Sequence, residues 1–326
     1  MKPFKFEQAT TAVQASRTHV DAAPNARFIS GGTDILGEIK EGILEVNILV
    51  SLAGLSGASE IISSDVGLEL GALVTLVRIA SDQSIVETYP ALAQAVESVA
   101  TPQIRNVGTL GGNLCQRPRC WYYRSPLFDC LKKGGETCFA SDEGNKYHAI
   151  LGAENCHIVH PSDVAVALLA LEATVVVANA SGDRQMPIGD FFVSPDVNML
   201  AENVLEPGEF VSKVKIPEPS SGARSVYLKA KERQAYDFAL SSVAVSLEVR
   251  DETITQAHVA LGGVAPVPYS VPQVDSELTG QKIREVDVQA IGQLAVKDAQ
   301  PLSDNSYKVR LTASMVARAV SRLISE

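Results

Sequence analysis

The sequence predicts an α+β chain of two domains. Three observations carry that reading. The chain has 326 residues, 46% of them hydrophobic, which is more than one typical domain needs. Short strand-like and helix-like segments alternate along its first third. A Pro-rich stretch, Pro217–Gly222, then separates them from a run of longer strands and two helices. The apolar fraction is too high, and the charged fraction of 20% too low, for a disordered chain.

The elements follow in order. Arg27–Ser30 reads as a strand, Thr33–Lys40 as a short helix and Ile48–Leu52 as a second strand. Gly67–Ala72 alternates apolar and polar residues, as a strand does. Leu76–Ser81 and Tyr89–Ala100 read as helices, the second with Leu92, Val96 and Val99 spaced for one face. Thr101–Asn113 reads as a Gly-rich loop. From there to about His157 the chain lacks periodicity and is rich in Pro, Gly and charge, a long irregular run for a compact domain. Pro161 opens a helix through Val164–Leu171, with Asp163 at its positive end. Strands follow at Thr174–Ala178 and Phe210–Ile216, then near Ser225–Lys231, Ser242–Val249 and Thr255–Gly262. Helices near Val286–Ala299 and Val309–Ile324 close the chain. No repeat of fixed period is visible.

Charge and hydropathy exclude two classes of partner. The net charge is −10, and no basic run offers phosphate contacts, so nucleic acid is not expected. No apolar stretch is long enough to span a bilayer. The N-terminal MKPFKFEQATTAV has no apolar core of a signal peptide, so the chain is expected to be cytoplasmic by its own sequence.

Cysteine is the most unevenly placed residue. All five, Cys115, Cys120, Cys130, Cys138 and Cys156, fall within 42 residues, with none in the first 114 or the last 170. A chain this long without a signal is not a disulfide scaffold, so the cluster points to a metal or redox cofactor. Cys120, Cys130, Cys138 and Cys156 read C-x9-C-x7-C-x17-C, without the close pair usual in zinc sites. Iron–sulfur clusters take four thiolates at family-specific spacings. Zinc, with His148 or His157 as a ligand, and free thiols stay open on spacing alone.

Two Gly-rich segments suggest an anion site. Arg27-Phe-Ile-Ser-Gly-Gly-Thr-Asp-Ile-Leu36 runs from a strand through a turn into a helix, where backbone N–H groups can cradle a phosphate. Its spacing is not that of a Rossmann fingerprint. Ile104-Arg-Asn-Val-Gly-Thr-Leu-Gly-Gly-Asn113 is the second, and together they can grip the two phosphates of a dinucleotide. Lys229, Lys231 and Arg233 alternate on one expected strand and would share a face. Each segment also has a plain reading, as an ordinary turn or a solvated strand face.

Taken together, Ser30-Gly-Gly-Thr-Asp34, Asn106-Val-Gly-Thr-Leu-Gly-Gly-Asn113, His160-Pro-Ser-Asp163, Leu205-Glu-Pro-Gly-Glu209, Tyr227-Leu-Lys229 and Ala260-Leu-Gly-Gly-Val-Ala265 resemble the FAD-binding medium subunit of the xanthine dehydrogenase family of molybdenum hydroxylases. The motifs span nearly the whole chain in the family's order. Most members run directly from the Gly-Gly-Asn loop to the Pro-Ser-Asp segment. The interposed cysteine segment resembles the 4Fe–4S insertion of the flavin subunits of 4-hydroxybenzoyl-CoA reductase and periplasmic aldehyde oxidoreductase. With Asn113-Leu-Cys-Gln-Arg-Pro-Arg-Cys120, it is most like the aldehyde enzyme.

The resemblance implies an FAD-binding domain of the vanillyl-alcohol-oxidase (PCMH) type over residues 1–220. Its subdomains would be about 1–58 and 59–220, with the insert at about 114–158. A C-terminal three-stranded sheet with helices would fill 221–326. It implies FAD held by Ile29, Ser30, Gly31, Gly32, Thr33 and Asp34 at the diphosphate. Thr109, Gly112 and Asn113 would lie near the phosphates and ribityl chain, with Asp163 and Leu205 as further contacts. Lys229 would sit beside the isoalloxazine. It implies one 4Fe–4S cluster on Cys120, Cys130, Cys138 and Cys156, and no required role for Cys115. It also implies two partners: a large molybdopterin-binding subunit and a small subunit with two 2Fe–2S clusters, which could carry an export signal to the periplasm. The competing expectation is a non-catalytic FAD- or nucleotide-binding module with a zinc-stabilised loop. A self-sufficient oxidase is disfavoured, since no catalytic base is evident.

Overall fold

The computed structural model describes residues 2–325. Three sheets organise them. The first is small and parallel, formed by β1 (Lys5–Gln8), β2 (Ala26–Ile29) and β3 (Ile48–Ser51) in the order β1-β3-β2. Helices Ala12–Asp21 and Ile35–Lys40 make its crossovers, as parallel neighbours require. The middle strand β3 reads Ile-Leu-Val-Ser and is buried along its length, the continuous apolar run of a strand covered on both faces.

The second sheet is antiparallel: β4 (Ile61–Ser64), β5 (Gly67–Gly71), β6 (Thr174–Asn179), β7 (Gly182–Pro187) and β8 (Phe210–Pro217), in the order β4-β5-β8-β6-β7. Its inner face and helices Leu76–Ser81, Gln83–Thr88 and Pro90–Glu97 enclose the largest core, around Leu70, Leu92, Leu168 and Phe191. The third sheet is β9 (Ala223–Ala230), β10 (Ser241–Arg250), β11 (Thr253–Gly262) and β12 (Tyr269–Ser270), antiparallel in the order β12-β11-β10-β9. Helix Tyr307–Ile324 covers it through Met315, Val316, Ala319, Val320 and Leu323, which recur at helical spacing along one face.

Helix Asp163–Ala170 explains its own near-continuous apolarity. Val164, Ala165 and Leu168 enter the large core. Val166, Ala167 and Ala170 pack against Tyr227, Ala244 and Ala260 of the third sheet. A helix buried on both sides has no polar face to show.

Several expectations need correction. The helix begins at Asp163, not Pro161, because the Ser162 hydroxyl takes the Ala165 N–H and acts as N-cap. Thr101–Asn113 is not a loop but two short helices, Pro102–Val107 and Leu110–Leu114, capped by Thr101 and Thr109. The C-terminal sheet has a fourth, two-residue strand. β9 ends at Ala230, so Lys229, Lys231 and Arg233 do not share one strand face. Strands β1, β4 and β7 and helix Ala12–Asp21 had no sequence counterpart.

The insert has almost no regular structure. It contains one turn of helix, Trp121–Arg124, and two 3-10 turns, Leu131–Lys133 and Phe139–Ser141. Side chains from the C-terminal part of the chain hold it. Asn305 donates to the carbonyls of His148 and Ala149, and Asn145 exchanges bonds with Ser303 and Asp304. Lys308, fully buried, donates to the carbonyls of Tyr147 and Gly263 at 2.8 and 2.7 Å.

Candidate functional site: a dinucleotide cleft beside a thiol pocket

A cleft of about 420 Å³ opens between the first sheet, the two short helices and the start of the third sheet. Ile29, Ser30, Gly31, Gly32, Thr33, Asp34, Thr109, Gly112, Asn113, Asp163 and Lys229 all line it. The sequence thus named eleven residues that the fold gathers from four distant segments. Leu205 is not among the lining; it is half-buried and packs against the large core.

The first loop is built for close approach. A Cβ on Gly31 would stand 2.1 Å from the Val107 carbonyl oxygen, so no side chain fits. Gly32 has φ +72°, a conformation costly for other residues. Among the described residues no group accepts from the N–H groups of Gly31, Gly32, Thr33 or Asp34. Four adjacent amides thus stay free to face an anion.

The second loop differs. Four of its amides are already engaged: Leu110 donates to Val74, Gly111 to Ala72, Gly112 to the Thr109 hydroxyl and Asn113 to the Thr109 carbonyl. It shapes the wall rather than offering donors. The Ser30 and Thr109 hydroxyls lie 2.9 Å apart and tie the two loops together. Asn113 accepts from the Ser162 hydroxyl at 2.5 Å, fixing this wall to the helix that carries Asp163.

At the other side, Lys229 Nζ is 2.7 Å from an Asp163 carboxylate oxygen, and both side chains are buried. Tyr227 donates its phenol to the second oxygen. Burial and the neighbouring carboxylate push that phenol well above its ordinary pKa, so it remains a donor. The pair presents a fixed cation and a fixed anion to the cleft. Lys229 does not lie on a solvated face.

Asp34 faces away from the free amides toward the insert. Its carboxylate takes the Arg117 N–H at 2.7 Å and pairs with Arg119 at 2.8 Å and Arg124 at 2.7 Å. Arg117 and Arg119 themselves line the cleft. Arg117 also pairs with the buried Glu202. Sequence reading missed these arginines because they lie in an unperiodic segment. Their density, three within eight residues around Cys120, was the available signal.

A second, much smaller cavity lies behind that segment. Cys120, Cys130, Cys138 and Cys156 line it, with His148, His157, Tyr123, Leu131 and Phe139 among the other walls. All five cysteines are free thiols. The neighbouring Cys138 and Cys156 thiols act on each other, Cys138 being pushed down to about 5 and Cys156 upward. His148 Nε2 lies 3.2 Å from the Cys120 sulfur, and burial holds that imidazole down at about 4, in the neutral form. Among the described residues no three His, Cys, Asp or Glu donors converge closely enough to hold a single metal ion. Cys115 is elsewhere: it lines the large cleft, and burial pushes its thiol to about 12.

Comparison with known proteins matches this architecture. Residues 1–219 match the FAD binding domain in molybdopterin dehydrogenase, and residues 226–323 the CO dehydrogenase flavoprotein C-terminal domain. The chain is 34% identical to the aldehyde oxidoreductase FAD-binding subunit PaoB of Escherichia coli K12, over 98% of this chain and 99% of that one. It is 25% identical to the glyceraldehyde dehydrogenase medium chain of Sulfolobus acidocaldarius, over 93% and 90%. Its fold superposes on CO dehydrogenase from Oligotropha carboxidovorans with a TM-score of 0.80 at 20% identity, covering 99% of this chain and 98% of that one. Quinoline 2-oxidoreductase from Pseudomonas putida 86 gives 0.77 at 24% identity, covering 100% and 99%. No helix among the described residues is long and apolar enough to cross a membrane. The free amides of the first loop, the buried Lys229–Asp163 pair across from them and both family matches lead to one conclusion: the chain belongs to the FAD-binding medium subunits of the molybdenum hydroxylases.

Proposed function

We propose that the chain is the flavin-bearing electron-transfer subunit of a three-subunit molybdenum hydroxylase acting on aldehydes. On this reading a large molybdopterin-binding subunit oxidises the substrate, and a small subunit with two 2Fe–2S clusters relays the electrons. Bound FAD would accept them and release them to an external acceptor. The observation that carries the reading is the cleft, with free amides at one wall and a buried cation–anion pair at the other. The match to an aldehyde oxidoreductase subunit along the full chain supports the substrate class.

The residues divide the work. Gly31, Gly32, Thr33 and Asp34 would offer backbone N–H groups to the diphosphate, with Ile29 and Ser30 completing that loop. Thr109, Gly112 and Asn113 would form the wall along the ribityl chain. Lys229 would face the isoalloxazine and favour the negative charge gained on reduction, while Asp163 holds Lys229 in place. Leu205 would act through packing against the large core. The division into residues 1–220 and 221–326 would leave the cleft lined mainly by the first part and closed by Lys229 of the second.

The thiol pocket fits a 4Fe–4S cluster in its donor set. Four soft thiols surround one cavity with apolar walls, and such clusters take four cysteines. Cluster ligands stand farther apart than those of a single ion, consistent with the lack of a tight three-donor group. Zinc stays the competing occupant, with His148 at the wall. Purification with the partner subunits, followed by flavin, iron and sulfide analysis and an absorption spectrum, tests the whole reading. A colourless zinc protein that copurifies with neither partner would defeat it. Compartment would follow the small subunit; fractionation with and without it checks this.

A further inference from the structure

The cleft lining carries an electrostatic imbalance that the insert corrects. Five cationic side chains line it: Arg27, Arg117, Arg119, Lys229 and Arg233. Four carboxylates oppose them: Asp34, Glu38, Asp163 and Asp237. Without Arg117 and Arg119, the carboxylates would outnumber the cations. A cleft of that sign disfavours a diphosphate.

Arg119 is the better placed of the two. Arg117 is already paired with the buried Glu202 at 2.6 Å. Arg119 is held from two sides, by Asp34 at 2.8 Å and by the ring of Phe238, 5.2 Å from its guanidinium carbon. Its third contact, to Gln116, is a long 3.4 Å. Its Nε is buried and has no partner among the described residues, a costly state for a charged donor. Arg119 lines the same cleft as the loop with the free amides, so an anion bound in the cleft shares it with this guanidinium.

We propose that Arg119, contributed by the cysteine insert, is a direct ligand of the FAD diphosphate, so that the insert completes the flavin site. The contact rests on the FAD reading of the cleft and not on the identity of the metal in the thiol pocket. Arg119 immediately precedes Cys120, so a backbone ordered at the thiol pocket also positions the guanidinium. Anything that disorders the insert should then weaken flavin binding.

The experiment uses the full chain with its partner subunits, deflavinated, and measures Kd for FAD and for ADP, which shares the diphosphate but lacks the flavin. Arg119→Gln should weaken both by the same factor, about ten- to a hundredfold for one charge-assisted hydrogen bond. Its iron content should be unchanged, and Arg119→Lys should recover most of the affinity. Unaltered FAD affinity in Arg119→Gln would overturn the proposal. So would weakened FAD with unaltered ADP, which would move Arg119 to the ring. Loss of iron and flavin together in both variants would make Arg119 a support of the insert's fold, and also overturn it. Unsubstituted protein that holds FAD but no iron would defeat only the cluster reading; protein that binds no FAD would defeat the cleft reading itself.

Discussion

Lys229 and Asp163 stand 66 positions apart in sequence and meet in a buried pair. Breaking such a pair by removing one member costs about 3–5 kcal/mol, because the other charge is left alone. Lys229→Ala should therefore lower the melting temperature. It should also lower the flavin potential, since an uncompensated carboxylate disfavours added negative charge. At about 30 mV for 1.4 kcal/mol in a two-electron couple, the fall should be some tens of millivolts. Asp163→Asn should shift the potential upward. Spectroelectrochemical titration of both variants checks the signs; shifts in the same direction would show that the pair does not act on the flavin electrostatically. Gly31→Ala should lose FAD outright, because its new Cβ would overlap the Val107 carbonyl. A full flavin complement in that variant would mean that the loop moves freely. At this scale the glycines were legible from their strand–turn–helix setting. The partners of Lys229 and Asp34 were not, because ion pairs between distant segments leave no local pattern.

The insert is the element whose order comes least from secondary structure. If the thiol pocket holds the proposed cluster, serine at Cys120, Cys130, Cys138 or Cys156 should empty it of metal and loosen the segment, as metal binding and folding are coupled where no core exists. Cys115→Ser should keep its metal, since Cys115 lies in the other cavity. Metal analysis of the five variants decides, and equal loss at Cys115 would sink the ligand assignment. The sequence located this segment, because residue clustering survives without periodicity, and Cys120, Cys130, Cys138 and Cys156 of it line one small cavity. It misjudged Thr101–Asn113 because Gly108, Gly111 and Gly112 read as breakers, whereas threonine caps at 101 and 109 supply the missing helix starts. It passed over β7 because Gly-Asp-Arg-Gln-Met-Pro is an exposed edge strand with no buried face to impose alternation.

Across the whole molecule, stability should depend on pH through buried neutral histidine. Burial pushes His160 down to about 3 from an ordinary 6.5. Its Nδ1 accepts the Ser162 N–H, beside the helix that carries Asp163. Above pH 6.5 the ring is neutral folded and unfolded, and its contribution is complete. As pH falls from 6.5 toward 3, the unfolded chain takes up a proton that the folded chain refuses, and stability drains away. Melting temperatures of the protein and of His160→Gln over that range should show a shallower slope in the variant. Parallel slopes would mean that the ring protonates in place. The α+β class was readable at this scale, because short alternating strand and helix segments followed by longer strands are a strong signal. The contacts between the insert and the C-terminal part were not.

Those contacts also set a schedule for synthesis. Asn145 and Asp304 are separated by 159 positions, and Asn305 and Lys308 bind the same stretch of the insert. At roughly 5–20 residues per second, a ribosome takes on the order of ten to thirty seconds to travel from one side of this clasp to the other. During that interval the four cysteines have emerged, yet the side chains that pin their segment have not been made. The segment that carries the thiols is thus made well before the side chains that pin it, and it gains those contacts only as the helix Tyr307–Ile324 is completed.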